Sequence, residues 1–190
     1  MRVLGISGSL RRDSYNSGLL RAAADLLPSG VELEVFDGLK GIPPYDADDD
    51  VSPAPAPVAA LREAIESADA VLIATPEYNA SIPGVLKNAL DWASRPHATN
   101  PLRGKPAAVV GASTGMFGAV WAQAETRKVL STIGARVLDH ELPVPEGDER
   151  FDGDGALRDP EVEEQLGEVI AALVDAAEAR AAGLAARAAA

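Results

Sequence analysis

Residues 2–17 read Arg-Val-Leu-Gly-Ile-Ser-Gly-Ser-Leu-Arg-Arg-Asp-Ser-Tyr-Asn-Ser. The run Arg2–Ile6 is short and apolar, as a buried strand is. From Gly5 to Ser17 the chain then holds two glycines, four serines, an asparagine and two arginines, and a helical pattern follows at once. A loop of this make-up between a strand and a helix suits the holding of a phosphate. Backbone N–H groups at a helix N-terminus carry partial positive charge, and hydroxyls and a guanidinium add donors around them. The stretch lacks Gly-x-x-x-x-Gly-Lys-Ser/Thr, so it is not a P-loop. Its glycines, Gly5, Gly8 and then Gly18, also miss the spacing of the dinucleotide fingerprint. A capped helix after a tight turn would need only one of these serines.

Outward from this loop, strand and helix signals alternate. Asn16–Leu27 places Leu19, Leu20, Ala23, Leu26 and Leu27 at helical spacing, and Pro28-Ser29-Gly30 stops it. Val31–Phe36 sets Val31, Leu33 and Val35 against Glu32 and Glu34, which predicts a strand near a sheet edge. The Pro- and Asp-rich stretch 41–57 is too broken for an element and reads as a surface loop, after which a helix ends at Ser67. Ala68–Ala74 and Ala107–Val110 are buried strands, Ile82–Trp92 and Ala119–Ile133 helices, Ala135–Leu138 a fifth strand and Pro160–Glu178 the closing helix. Strands alternating with helices imply a parallel sheet covered on both faces. With a phosphate loop after the first strand, the expected fold is α/β: a flavodoxin-like three-layer sandwich with a five-stranded parallel sheet in order 2-1-3-4-5. Half of a Rossmann domain is the alternative. Asp37 after the second strand would suit it, but the glycine pattern weighs against it.

Composition bounds the function. The 190 residues predict one domain, taken as 1–180, with an Ala-rich tail at 181–190 fraying from the last helix. A net charge of −12 argues against nucleic acid or an anionic membrane as partner. The chain has no cysteine, which removes disulfides, thiol catalysis and Cys-ligated metals. No apolar run is long enough to span a bilayer and Met1–Ser9 carries no signal core, so the expected location is cytoplasmic. His97 and His140 have no partner at metal-ligand spacing. Asp48-Asp49-Asp50 lacks the glycine-spaced calcium loop and reads as a solvated turn, so no metal site is expected.

Three stretches carry a resemblance. Gly-Ser-Leu-Arg-Arg-Asp-Ser-Tyr-Asn at 8–16, Thr-Pro-Glu-Tyr-Asn-Ala-Ser-Ile-Pro-Gly-Val-Leu-Lys-Asn-Ala-Leu-Asp-Trp at 75–92, and Gly-Ala-Ser-Thr-Gly-Met-Phe-Gly at 111–118 occur in this order. Together they resemble the NAD(P)H-dependent FMN reductases, the flavodoxin-like group that includes chromate, quinone and azo-dye reductases. The likeness covers roughly residues 1–140, and the third stretch is the loosest match, since many relatives are more glycine-rich there. The three stretches follow strands one, three and four, whose carboxyl ends meet where the strand order reverses, the place for a ligand in such a sheet.

The resemblance implies FMN as cofactor, NADPH or NADH as electron donor, and a small-molecule electron acceptor such as a quinone, azo compound, metal oxyanion or flavin, in a ping-pong cycle. Ser9, Arg11 and Asn16 are then the expected phosphate donors, with Ser7, Ser14 and Ser17 as helpers. Pro76, Glu77, Tyr78 and Asn79 would meet the flavin ring, and Ser113, Thr114 and Gly115 would bring backbone close to it. Two of these have plainer readings: Tyr78 as a packing aromatic and Glu77 as a charge at a helix start. Lys87 is spaced to pair with Asp91. The cofactor carries the reaction, so no catalytic side chain is required. Relatives of this kind pair through neighbouring helices, which makes a homodimer or homotetramer the expectation, with Leu90 and Trp92 near the contact. A flavodoxin-type electron carrier and a non-catalytic flavin sensor remain the alternatives.

Overall fold

In the computed structural model, which describes residues 1–189, β1 (Arg2–Ser7) lies inside a parallel sheet of order β2-β1-β3-β4-β5. The other strands of that path are β2 (Glu32–Val35), β3 (Ala70–Ala74), β4 (Pro106–Ala112) and β5 (Arg136–Val137). This is the expected order, with its reversal between β1 and β3. Side chains alternate strictly between the two faces. Val3, Leu72 and Val110 pack under α1 (Tyr15–Asp25) and α6 (Pro160–Ala188). Leu4, Ile73 and Val109 pack under α2 (Ala56–Ser67), α3 (Gly84–Ala93) and the end of α4 (Val120–Thr132). β3 and β4 are buried along their whole length, which is why they read as unbroken apolar runs.

Several expectations change. The fifth strand is split: β5 pairs with the start of β4, and a further strand, β6 (Pro143–Val144), pairs with its end through Gly111 and Ala112. Between them the chain bulges outward at Asp139-His140-Glu141. Arg127 of α4 staples the bulge, meeting Asp139 at 2.7 Å and Glu141 at 3.3 Å and donating to the carbonyl of His140. A short helix, α5 (Gly147–Arg150), was not expected. The loop 41–57 follows a short 3-10 turn at Gly38–Gly41, contains another at Ala47–Asp49 and is tied to α3. The carbonyl of Pro43 accepts from Asn88 Nδ2 at 2.8 Å and from Trp92 Nε1 at 2.9 Å, and the Asn88 carbonyl accepts from Tyr45 N. Trp92 and Leu90 are therefore core residues, buried with Tyr45 edge-on to the indole, and are not available to a subunit contact.

The closing helix also runs further than expected. Asp159 caps it by accepting from Glu161 N and Val162 N, and Pro160 fits the first turn. Its buried stripe ends at Ala177, yet the helix continues to Ala188 on the high helix propensity of alanine. Most of the expected tail is thus helical; Ala190 lies outside the described residues.

The sheet edges differ in kind. β2 exposes Glu32 and Glu34, with Arg2 3.6 Å from the latter, while the opposite edge is the interrupted β5–β6.

Candidate functional site

The loops after β1, β3 and β4 surround a cleft of about 220 Å³ at the carboxyl ends of the strands. Its base continues the sheet: Gly8 N donates to Ala74 O at 2.8 Å, and Thr75 N to Val110 O at 2.9 Å. The first and second loops touch at Gly8, where a Cβ would come within 3.0 Å of Leu86 and 3.2 Å of Pro76. Glycine is needed there for close approach.

The first loop brings Ser9, Arg11 and Ser14 to the cleft, together with the start of α1. Ser14 caps α1 by accepting from Asn16 N at 3.2 Å, and no acidic residue occupies the first turn. The positive end of the helix dipole therefore faces the cleft without a carboxylate of its own. The Arg11 guanidinium lies 5.0 Å from the centre of the Tyr15 ring, which itself lines the cleft. Hydroxyls, helix N–H groups and a guanidinium on one wall form a donor set suited to a phosphate dianion.

Asn16 behaves differently from expectation. It is buried on the cleft floor, and its amide bridges Ala112 of β4 in both directions, accepting from Ala112 N and donating to Ala112 O at 3.0 Å each. The side chain continues the β4 ladder and holds α1 against it, a positioning role rather than that of a free phosphate donor. Ser17 is not among the lining residues; its hydroxyl donates to Ser7 Oγ at 3.1 Å.

The second loop brings Pro76, Glu77 and Tyr78 to the opposite wall. Here too a carboxylate has another task. Glu77 accepts from Trp121 N and Ala122 N, both at 3.0 Å, and so caps α4. That helix starts from Gly118 and Ala119, both at positive φ, and Ala119 has no side chain able to cap it. The reading of Glu77 as a charge at a helix start is the one that holds, although the helix is a distant one.

Tyr78 and Ser81 pair as a two-residue hairpin with Asn79 and Ala80 at its tip, at φ 52° and 57°. Two consecutive left-handed residues are the signature of a type I′ turn, which asparagine tolerates well. Asn79 is exposed at the tip of this turn and is not among the residues that line the cleft. The far side of the hairpin is fixed to α4, where Glu125 accepts from the Ser81 hydroxyl at 2.5 Å and from Ile82 N. These bonds hold the Glu125 carboxyl below its ordinary range.

The third loop contributes Ser113 and Thr114 to the cleft but not Gly115. A Cβ on Gly115 would meet only Ser113 Oγ, at 3.8 Å, so packing within the chain does not demand glycine there. Sequence reading missed Tyr15 and Ala112, whose signals were their places beside Ser14 and Ser113. It expected Tyr78 at the cleft but missed the exposed apolar residues Met116, Phe117 and Trp121 that follow the third loop. Tyr78 is 53% exposed, Met116 71%, Phe117 54% and Trp121 45%, and the rings of Phe117 and Trp121 meet edge-on at 4.8 Å.

With this geometry in view, similarity to known proteins is informative. The sequence profile of the NADPH-dependent FMN reductase family matches residues 1–149. An NAD(P)H-dependent FMN reductase from Pseudomonas aeruginosa is 45% identical, covering 91% of this chain and 93% of that protein. A 2-hydroxy-1,4-benzoquinone reductase from Burkholderia sp. is 40% identical over 83% of this chain and 85% of its own length. Among solved structures, the NAD(P)H:(acceptor) oxidoreductase flavoenzyme of Paracoccus denitrificans superposes with a TM-score of 0.84 at 38% identity, covering 93% of this chain and 97% of that one.

Proposed function

The chain belongs to the NADPH-dependent FMN reductase family, FMN-dependent oxidoreductases fed by NAD(P)H, and from that premise we propose how its cleft serves the reaction. The observation that carries the proposal is the convergence of Ser9, Arg11 and the uncharged first turn of α1 on one wall of a cleft whose other wall holds Tyr78, Ser113 and Thr114. FMN, when bound, supplies the two-electron relay between nicotinamide and acceptor.

The residues of the chain do the rest. Arg11, Ser9 and Ser14, with the first N–H groups of α1, would hold the phosphate. Pro76 and Tyr78 of the second loop and Ser113 and Thr114 of the third would hold the ring, with Gly115 beside them adding no side chain to that loop. Asn16 and Glu77 keep these walls in register by tying α1 to β4 and the second loop to α4. The apolar rim of Tyr78, Met116 and Phe117 leaves the cleft open to flat, weakly polar acceptors, and we assign quinones as the acceptor class, in keeping with the named activity of the Burkholderia protein. One opening serves nicotinamide and quinone in turn, which makes the cycle ping-pong. The same exposed aromatic rim supports a homodimer or homotetramer that covers part of it, and a cytoplasmic location completes the reading.

The test is spectroscopic. Purified protein should show flavin bands equimolar with chain, NADPH or NADH should bleach them, and a quinone added after the nicotinamide is exhausted should restore them. Double-reciprocal plots at several quinone concentrations should be parallel. Bleaching by dithionite but by neither nicotinamide would overturn the proposal and assign an electron carrier. A monomer by light scattering at micromolar concentration would overturn the assembly.

A further inference from the structure

At the other end of the sheet, β4 and β5 begin and the last turns of α6 pass over them. There Arg103, Arg136, Arg180 and Arg187, with Gly183 and Leu184, line a second cavity of about 380 Å³. Arg103 belongs to the turn before β4 and Arg136 opens β5, so two guanidinium groups stand on the sheet side. Arg180 and Arg187 lie seven residues apart on α6 and hence on one face of it.

Such a concentration of cations runs against the balance of the chain as a whole, which has 29 acidic against 17 basic residues. Elsewhere several arginines meet carboxylates: Arg62 meets Asp50, Arg127 meets Asp139 and Glu141, and Arg150 meets Asp159. Among the described residues no carboxylate pairs with any of the four arginines of this cavity; Arg103 donates to the His97 carbonyl. The potential they create reaches inward. Buried Lys105 beneath them has its ammonium pushed down to about 8, first by burial and then by the charge of Arg180. Gly183 adds to the opening. Glycine is a poor helix former, and a Cβ there would meet nothing within 4 Å, so its effect is to leave this wall without a side chain.

We propose that this cavity binds a ligand carrying two linked phosphates, either inorganic pyrophosphate or the diphosphate of a nucleotide. The guanidinium fork matches phosphate oxygens, and cations on both walls call for charge at both ends of the ligand, which a single small anion lacks. The site is separate from the flavin cleft. The seven residues of β4 lie between the two, roughly 20 Å at the rise of a strand.

Calorimetric titration of the FMN-loaded protein with pyrophosphate, at ionic strength held constant with chloride, tests this. Saturable binding at one site per chain is expected. The double variant Arg136→Gln/Arg180→Gln should bind at least roughly tenfold more weakly, because charge-assisted hydrogen bonds are lost. Arg187→Gln, at the exposed end of α6, should weaken binding roughly threefold or more without disturbing the fold. Lys40→Gln, a charge removed elsewhere, should leave affinity unchanged, and FMN content should be the same in all variants, so this result is read independently of the flavin site. An ADP arm names the source: tighter binding of ADP assigns a nucleotide, tighter binding of pyrophosphate the inorganic ion. Equal affinity of wild type and both arginine variants, disappearance of binding in matched chloride, or preference for a mixed-sequence oligonucleotide would each overturn the proposal.

Discussion

Arg11 and Asn79 show how differently single residues of one site can be read. Arg11 lies on the cleft-lining loop, so its place at the cleft was legible from the make-up of that stretch. Charge-assisted hydrogen bonds are worth about 1.5–3 kcal/mol, and Arg11→Ala is expected to weaken FMN by about one to two orders of magnitude in a fluorescence titration of apoprotein. Unchanged affinity would refute the phosphate assignment. Asn79 stands next to the cleft in sequence but at the tip of a type I′ turn in space. Asn79→Gly, which accepts positive φ freely, should keep both turnover and stability, whereas Asn79→Ala should cost about 1 kcal/mol of stability in urea unfolding. If the glycine variant lost turnover, the side chain itself would be needed. Local sequence could not expose this, nor the duties of Asn16 and Glu77. Their partners Ala112 and Trp121 are 96 and 44 residues away, and only the assembled sheet brings them together.

At the level of elements, what could be read depended on length and burial. β3 announced itself because both its faces are covered, and α1 because its apolar stripe is complete. β6 and α5, of two and four residues, are too short to carry a period, and they owe their form to β4 and to the turn before them. The start of α4 is the element where site and scaffold meet, since its cap is supplied by Glu77 of the second loop. Loss of a capping side chain costs about 0.5–2 kcal/mol. Glu77→Ala is therefore expected to lower stability by that amount, to speed amide exchange at Trp121 and Ala122, and to reduce turnover through a loosened Tyr78. Faster exchange confined to other helices would show that the carboxylate does not serve as the cap. The expectation that Leu90 and Trp92 face a partner failed for a similar reason: Pro43 and Tyr45, far earlier in the chain, cover that face of α3.

For the whole molecule, Lys105 links pH to stability. Its ammonium donates to the carbonyls of Ile65 at 2.5 Å, Glu66 at 3.2 Å and Ala68, closing the end of α2 from the start of β4. Its pKa is lowered from 10.5 to about 8 in the folded chain. Between those values the unfolded chain binds the extra proton, so this group adds stability as pH rises from about 8 towards 10.5, and the gain is lost as pH falls back through 8. Lys105→Met should remove that part of the slope in urea unfolding followed from pH 7.5 to 10, shown by comparison with wild type. Parallel pH profiles for the two proteins would rule the linkage out.

The borders of the sheet have a consequence for crowding. Another strand laid along β2 would set its side chains beside Glu32 and Glu34, and a second copy of β2 would bring like charges opposite each other. The far border offers two residues, an outward kink stapled by Arg127, and two residues more, too little to template a ladder. Neither border can be lengthened in register. Growth into fibrils by edge-to-edge stacking is closed to the folded chain, so its concentrated solutions should remain free of cross-β material, and copies that do meet must do so through helices and loops.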